Sequence, residues 1–240
     1  MTLTNQQFQQ VTNQVRAYEK IAEVQRMPIT LNNEKYEIEI DPLVANPSIM
    51  NSGLQVLKYL ESHPSLIKDQ IITDMGTGCG IIGLACALLG AKKVYMADID
   101  QKAISNTQRN IQRLGIINIC ETFQSDLFSN FSEHQKADIQ IFNHPFFADA
   151  PIQGKDWTRM MLGGTSLIEN YLRNAPNFSN PDAQYIMPWL TTANNTAEID
   201  NDPGKRAPTQ GYKIIKCASQ NPVESGIQQD PFAIYVLQHP

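Results

Sequence analysis

The stretch IITDMGTGCGIIGLACALLGAKKVYMADID, residues 71–100, constrains the fold more than any other part of the chain. An apolar run ends in closely spaced glycines, and a second apolar run long enough for a helix follows. A further apolar run comes after Gly90. A strand, a glycine loop, a helix and a strand in this order are typical of a parallel sheet with helical crossovers. Because such sheets bind ligands at the carboxyl ends of their strands, we expect the glycine loop to contact a ligand.

The alternation of strands and helices continues to the end of the sequence. This predicts an α/β fold with a doubly wound, mostly parallel sheet and helices on both faces. Pro188 indicates an edge strand or a bulge. Residues 192–210 are rich in Asn, Asp, Pro and Gly, so a helix there is expected to be short or replaced by a loop. Predicted helices are 4–24, one starting at Asn51 or Ser52, 81–90, 101–115 and 165–175, and predicted strands are 34–41, 71–75, 92–100, 118–126, 137–143, 183–191, 211–219 and 231–238.

The first predicted helix, residues 4–24, has two clear signatures. Thr4 and Gln7 fit a capping box. Apolar residues recur at intervals of three and four and predict one buried stripe. The members of this stripe are Phe8, Val11, Val15, Tyr18 and Ala22.

Charge and cysteine content limit the possible partners. The net charge is −5 and no run of lysine or arginine occurs, which argues against a nucleic-acid surface. The four cysteines lack CxxC or metal-site spacing, so we expect reduced thiols, with Cys86 packed in a helix, and no metal. No apolar run can span a membrane, and the polar N-terminus predicts a cytoplasmic protein. A local basic patch would need dispersed residues such as Lys92, Lys93, Arg109, Arg113, Arg159 and Arg173.

The glycine loop fits two cofactors. Gly78-x-Gly80-x-x-Gly83, with Asp98 about 20 residues after the first glycine, matches the fingerprint of a dinucleotide site. On that interpretation the protein would be an NAD-dependent oxidoreductase. An S-adenosylmethionine site is the other interpretation. That cofactor carries no phosphate and needs backbone contact, an acceptor near its amino group and a carboxylate for its ribose hydroxyls.

Three carboxylates favour S-adenosylmethionine. Asp74, Asp98 and Asp126 each follow or end one of three successive strands, so they line one edge of the sheet. Asp74 is expected to orient the loop or the amino-acid end of the cofactor, Asp98 to bind the ribose and Asp126 the adenine amino group. The dinucleotide interpretation gives Asp74 and Asp126 no function. A simpler alternative is that an Asp before such a loop merely caps the next helix, as Asp100 is expected to do.

Residues 74–111 resemble the cofactor-binding half of class I S-adenosylmethionine-dependent methyltransferases. QSDLF, residues 124–128, is similar to the adenine-binding segment of release-factor glutamine and rRNA guanine methyltransferases, and the resemblance covers roughly residues 45–190. It implies a seven-stranded Rossmann-like sheet. We expect residues 1–45 to form an N-terminal extension of a helix and a short strand, and residues 46–240 to form the catalytic domain. The cofactor-binding residues that the resemblance implies are Asp74, Gly76, Thr77, Gly78, Gly80, Asp98, Ile99, Asp126, Leu127 and Asn143.

The segment Asn143-His144-Pro145-Phe146 resembles the Asn-Pro-Pro-aromatic signature of enzymes that methylate a planar nitrogen. The resemblance implies that the Asn143 side-chain oxygen and the His144 carbonyl accept the two N–H groups of the acceptor. Phe146 then stacks on the planar group. The implied acceptor is a protein glutamine amide or a nucleobase amine, so protein or RNA is the expected partner. A structural interpretation remains, in which the tetrapeptide is a turn after a strand.

Two departures from the signature motivate a second hypothesis. His144 replaces the first proline, and Thr165 and Ser166 stand where acidic residues and glycine are usual. His144 is expected to be a spectator or a substrate contact rather than an acid or base. The chain could then be a degenerate relative that serves as a partner subunit without catalysis. Met160, Met161 and Leu162 fit a mobile apolar lid or the core equally well.

Overall fold

The structure is a computed structural model that describes residues 3–164, 166–190, 201–220 and 232–240. Six α-helices lie in these ranges: α1 (Asn5–Glu19), α2 (Ser52–Glu61), α3 (Ile81–Leu88), α4 (Gln101–Leu114), α5 (Leu167–Asn174) and α6 (Pro203–Thr209). The strands are β1 (Gln25–Leu31), β2 (Glu34–Ile40), β3 (Ile71–Met75), β4 (Lys93–Asp98), β5 (Cys120–Gln124), β6 (Ala137–Phe142), β7 (Ser179–Leu190), β8 (Lys213–Gln220) and β9 (Phe232–Gln238).

Seven of these strands form one sheet in the order β5-β4-β3-β6-β7-β9-β8. Neighbours from β5 to β7 pair in parallel, and β9 runs antiparallel to both β7 and β8. The predicted doubly wound, mostly parallel sheet of seven strands is therefore confirmed. The strand order reverses between β3 and β6, and the carboxyl ends of strands at such a reversal form the usual ligand crevice of this architecture.

The helices beside β3 form as their sequences predict. α3 is apolar on all sides, and its residues Ile81–Ala87 are buried. α4 is amphipathic and starts at Asp100, whose side chain accepts a hydrogen bond from the Lys102 N–H. It ends at Gly115, whose φ of +70° suits a glycine helix stop. All four cysteines are free thiols, and Cys86 is buried within α3.

The N-terminal helix confirms its predicted cap and the middle of its predicted buried stripe, but not its predicted length. The Thr4 and Gln7 side chains form the reciprocal capping box. The helix ends at Glu19 rather than at residue 24, and Ala22 is exposed. Phe8 is 42% exposed and Gln7 is buried in its place, while Val11, Val15 and Tyr18 are buried as predicted. The buried residues of α1 are Gln7, Val11, Val15 and Tyr18.

A hairpin follows α1, and the sequence predicted only its second strand. β1 pairs antiparallel with β2 through the turn Asn32-Asn33, where both residues have positive φ. β1 was missed because it contains a proline and because only two of its residues are buried. The Asn106 and Asn110 side chains of α4 accept N–H groups from the end of the hairpin and fix it to the sheet domain.

Pro188 lies in an interior strand, so the prediction of an edge strand was wrong for β7 as a whole. Its residues Gln184–Leu190 pair with β9, and Ile186 is the last residue that pairs with β6. β6 ends at Phe142, so at Pro188 the strand has β9 as its sheet neighbour but no longer β6. Because β6 no longer lies beside the strand at Pro188, a residue without an N–H is tolerated there as it is in an edge strand.

Residues 191–200 lie outside the described residues. The region predicted to be a short helix or a loop continues as the short helix α6 over Pro203–Thr209. No helix of the described ranges is long and apolar enough to cross a membrane.

Candidate functional site

A cavity of about 1130 Å³ lies at the carboxyl ends of β3, β4, β5 and β6. Loops after these strands form one wall. α1, residues 43–52 and the 3₁₀ helix Asp156–Met160 form the others. Pockets for one small ligand typically measure about 300–1,000 Å³. The cavity is therefore large enough for a cofactor together with part of a second molecule.

The glycine loop brings backbone to the cavity surface. Gly76, Gly78 and Gly80 all have positive φ, which favours glycine. Gly76 and Gly78 line the cavity, and a Cβ on Gly78 would lie 2.9 Å from the Ala45 Cβ. Gly80 does not line the cavity. It packs against α4, where a Cβ added to Gly80 would lie 3.0 Å from Thr107.

Asp74 is a loop-fixing residue in this structure. It is 1% exposed and does not line the cavity. Its Oδ2 accepts hydrogen bonds from the Thr77 hydroxyl at 2.7 Å and from the Gly83 N–H of α3 at 2.9 Å. Burial raises the pKa of Asp74 to about 7, and the two hydrogen bonds oppose this rise. Asp74 thus orients the loop and accepts a free N–H in the first turn of α3. The first role is the loop-orienting one predicted above, and the second is the helix cap of the simpler alternative. Thr77 is also buried and lies outside the cavity wall.

Asp98 ends β4 and lines the cavity. Its Oδ2 accepts the Gly78 N–H and its Oδ1 accepts the Asp100 N–H, each at 2.9 Å. Each carboxylate oxygen has a second lone pair that a ligand hydroxyl can use. Burial raises the pKa of Asp98. Ile99 beside it is 44% exposed and offers an apolar surface to the cavity.

Asp126 and Leu127 lie in the turn after β5, and both line the cavity. Asp126 is exposed, and Leu127 adopts a positive φ of 50°. Ser125 holds this turn, since its hydroxyl donates to the Leu127 carbonyl at 2.7 Å. The three carboxylates predicted to share one sheet edge do so, but Asp98 and Asp126 face the cavity while Asp74 lies behind it.

All four residues of the tetrapeptide Asn143–Phe146 line the cavity. Asn143 is half-buried, and its Oδ1 is buried with no hydrogen-bond partner among the described residues. His144 is 2% exposed, and burial lowers the pKa of its imidazole to about 4. It is therefore neutral and a weak base at physiological pH, consistent with a spectator or contact rather than an acid or base.

Aromatic residues surround the tetrapeptide. The His144 ring lies parallel to Trp189, with centroids 6.0 Å apart, and Phe146 meets Trp189 edge-on at 5.7 Å. Phe147 continues into a backbone pairing with residues 161–163, because its N–H donates to the Met161 carbonyl. The segment is thus held by packing, although its first proline is replaced.

Met161 and Leu162 are buried core residues that also line the cavity, so the core alternative describes them better than a lid does. Thr165, one of the two departures after this segment, lies outside the described residues. Ser166 lines the cavity just before α5.

Several lining residues were not predicted from the sequence. Gln10 and Gln14 of α1, the 43–52 segment and Trp157 all face the cavity. The Gln14 Oε1 is buried and has no hydrogen-bond partner among the described residues. The sequence did contain a signal for the two glutamines. Gln10 and Gln14 lie four residues apart, so they share one face of α1, beside its apolar stripe.

Three of the six dispersed basic residues pair with carboxylates. Arg109 pairs with Asp41, Arg113 with Glu37 and Glu39, and Lys93 with Glu121. At the cavity itself, the lining residues include four aspartates, one lysine and one arginine. Within the described part of the chain, no group of three or more His, Cys, Asp or Glu residues could hold a metal ion.

Comparison with known proteins gives matches in sequence and in structure. Residues 31–144, which include the glycine loop, Asp98 and Asn143, match the family described as ribosomal protein L11 methyltransferase (PrmA). The protein of that name from Acinetobacter baumannii strain AYE is 39% identical over 88 residues, which cover 35% of this chain and 29% of that protein. The one from Caldanaerobacter subterraneus subsp. tengcongensis is 36% identical over 118 residues, or 48% of this chain and 36% of that protein. The chain therefore spans about a third of the length of these relatives.

One solved structure extends the comparison to nearly the whole chain. A Thermus thermophilus 16S rRNA N2 G1207 methyltransferase, in complex with AdoMet and guanosine, superposes with a TM-score of 0.62 at 13% sequence identity. The superposition covers 92% of this chain and 52% of that protein. The predicted resemblance is thus confirmed: the chain has the Rossmann-like fold of class I methyltransferases, and its residues 31–144 are similar in sequence to the ribosomal protein L11 methyltransferases.

Proposed function

We propose that this protein is an S-adenosylmethionine-dependent methyltransferase that acts on a planar nitrogen, in a protein amide or in an exocyclic amine of a nucleobase. The observation that carries the proposal is Asn143, whose carboxamide ends β6 at the cavity and whose Oδ1 has no partner among the described residues. An oxygen of this kind is suited to accept a hydrogen bond from a ligand, because leaving it unpaired costs about 1–3 kcal/mol.

The cofactor half of the cavity fits S-adenosylmethionine better than a dinucleotide. Dinucleotides place their pyrophosphate at a helix N-terminus. Here the Gly83 N–H, in the first turn of α3, already donates to Asp74. Asp98 and Asp126 add carboxylates at the cavity surface. These groups would repel phosphate, whereas a cation and ribose hydroxyls suit them.

Each residue then has a specific task. Gly76 and Gly78 allow close backbone contact, Asp98 binds the ribose hydroxyls, and Ile99, Asp126 and Leu127 form the adenine site. The bound cofactor would supply a methyl group on a cationic sulfur. Asn143 and the His144 carbonyl accept the two N–H groups of the acceptor, which fixes the nitrogen and favours the positive charge that develops on it. Phe146 stacks on the planar group.

Charge favours a protein acceptor over a nucleic acid. The excess of aspartates at the cavity and the pairing of Arg109, Arg113 and Lys93 with carboxylates leave little to attract phosphates. Relatives named as ribosomal protein methyltransferases support the same choice. The division into an extension, residues 1–45, and a catalytic domain, residues 46–240, stays a prediction.

The test combines calorimetry with methyl transfer. S-adenosylmethionine is expected to bind more tightly than NAD. Tritium from labelled cofactor is expected to enter either bacterial ribosomal protein or rRNA, supplied as separate acceptor preparations. Asn143→Ala is expected to reduce transfer at least a hundredfold while cofactor affinity changes by no more than a few fold. Tighter NAD binding, or full transfer by Asn143→Ala, would refute the proposal, and cofactor binding without transfer to either preparation would favour the non-catalytic alternative.

A further inference from the structure

The N-terminal helix contributes polar groups to the cavity that the proposed function does not use. Gln10 and Gln14 both line the cavity and lie one helical turn apart. Gln14 is half-buried, and its Oε1 is buried without a hydrogen-bond partner among the described residues. Asn143 has the same property in the same cavity.

The position of Gln14 is fixed by contacts farther along α1. Tyr18 is fully buried, and its hydroxyl accepts the Asn46 N–H at 2.7 Å. The Tyr18 ring lies 5.5 Å from that of Trp157, and Glu19 pairs with Lys155. These contacts join α1 to two other walls of the cavity, so the helix presents Gln14 in a defined place.

Other contacts of α1, made by its buried valines, place Gln14 in the acceptor half of the cavity. Val11 and Val15, on either side of Gln14 in the sequence, share a buried cluster with Phe147, Met161 and Leu162. Phe147 directly follows the tetrapeptide that is proposed to hold the acceptor nitrogen.

The chemistry of an amide oxygen in apolar surroundings limits what it can bind. A buried carbonyl oxygen without a donor destabilises the protein by about 1–3 kcal/mol, so a ligand that donates to it supplies a bond that no described residue makes. A ligand N–H or O–H can donate to it, whereas a carboxylate or phosphate oxygen cannot.

We propose that Gln14 is an acceptor-binding residue: its Oε1 accepts a hydrogen bond from the molecule to be methylated, next to the nitrogen held by Asn143. This inference rests on the proposed function and adds α1 to the elements that select the acceptor. Gln14 does not contact the transferred methyl group, so it affects acceptor binding rather than the chemical step.

The test is Gln14→Met, which keeps the length of the side chain and removes its polar atoms. The acceptor is whichever ribosomal preparation takes the label in the transfer assay. The apparent KM for that preparation is expected to rise about tenfold, since tenfold corresponds to about 1.4 kcal/mol, the size of one such hydrogen bond. The value of kcat and the Kd for S-adenosylmethionine are expected to stay within twofold of the original protein.

Two matched variants make the result specific. Gln9→Met replaces an exposed glutamine of the same helix and is expected to leave all three constants unchanged. Gln14→Glu keeps an accepting oxygen at the same place, and its KM is expected to lie closer to the original value than that of Gln14→Met.

The possible failures are distinguishable. An unchanged acceptor KM in Gln14→Met overturns this inference and leaves the proposed function intact. A Kd for S-adenosylmethionine that weakens as much as the KM also overturns it, because Gln14 would then act on the cofactor. Absence of transfer by the original protein overturns the proposed function and this inference with it.

Discussion

The two halves of the cavity differ in how their polar groups are bonded. In the cofactor half, the loop residues bond to one another: Asp74 accepts from Thr77 and Gly83, and Asp98 accepts from Gly78 and Asp100. In the acceptor half, the amide oxygens of Gln14 and Asn143 have no partner among the described residues and lie among aromatic and aliphatic side chains. The loop of the cofactor half is therefore held mainly by its own hydrogen bonds, although the Asp74 Oδ1 behind the cavity is also buried without a partner among the described residues. Gln14 and Asn143 bring such oxygens to the cavity itself.

This difference predicts how stability and function respond to substitution. Changes in the cofactor half should lower stability and cofactor affinity together, because the same bonds serve both. Changes in the acceptor half should lower transfer without lowering stability, since the atoms removed make no bond in the free protein.

The largest expected effect concerns the pH dependence of stability. The pKa of Asp74 is raised to about 7 in the folded protein, so the folded state keeps a proton between about pH 4 and 7 that the unfolded state loses. Stability from this group falls as pH rises through that window, by on the order of 4 kcal/mol. The pKa of His144 is lowered to about 4, so its contribution rises between about pH 4 and 6.5, by on the order of 3 kcal/mol. The two trends oppose each other.

Asp74→Asn removes one of these opposing groups. Its free energy of unfolding is expected to increase with pH between pH 4 and 6.5 more steeply than that of the original protein. Urea unfolding at unit steps of pH measures this, and His144→Phe should change the slope in the opposite direction. Parallel curves for the original protein and Asp74→Asn would show that Asp74 is ionised throughout.

Asp98→Ala is expected to weaken S-adenosylmethionine binding about a hundredfold, because hydrogen bonds to a charged group contribute about 1.5–3 kcal/mol. It should also lower stability, since the Gly78 and Asp100 N–H groups lose their acceptor. Asp138→Ala is the matched control. Asp138 accepts the Ile71 N–H and an amide N–H of Asn180 at the opposite end of the sheet.

Calorimetry and unfolding together separate the two roles. Asp138→Ala should lower stability and leave cofactor affinity within twofold. Equal affinities for the two aspartate variants would refute the ribose role of Asp98.

A smaller effect is expected for Gly78→Ala. The added Cβ would lie 2.9 Å from the Ala45 Cβ, and the residue has a φ of +58°. Gly115→Ala has the same kind of backbone strain at φ +70° but nothing within 4 Å of the added Cβ. The free energy of unfolding of each variant should fall by roughly 1 kcal/mol, because alanine is strained in the left-handed conformation. Gly78→Ala should lose more stability than Gly115→Ala and should also bind the cofactor more weakly. Equal unfolding free energies for the two variants would show that the 43–52 segment moves away freely.

The smallest expected effect is that of Asn143→Ala on stability. Its unfolding midpoint in urea should equal or exceed that of the original protein, although methyl transfer is lost. A loss of more than about 1 kcal/mol would show that the Asn143 amide supports the fold, and the contrast between the two halves would fail.

In both halves, the sequence predicted the cavity residues that follow the sheet strands better than those supplied by other segments. Strand, glycine loop and helix are neighbours in the chain, so Gly78 and Asp98 could be placed from local pattern alone. Gln14 and Trp157 reach the cavity through tertiary packing of segments more than 100 residues apart, which no local period encodes. The same limit explains Asp74: its position at a strand end was predictable, but whether it faced the ligand or α3 depended on the packing of Gly83.

The anchoring of α1 through Tyr18 has a consequence for diversification. One side of the acceptor chamber is the helix α1, which reaches it through Gln10 and Gln14 rather than through the glycine loop. Those residues can therefore be exchanged over evolutionary time, or in the laboratory, without disturbing the loop that cradles the methyl donor. A new acceptor preference would then arise from changes within one short peptide near the start of the chain.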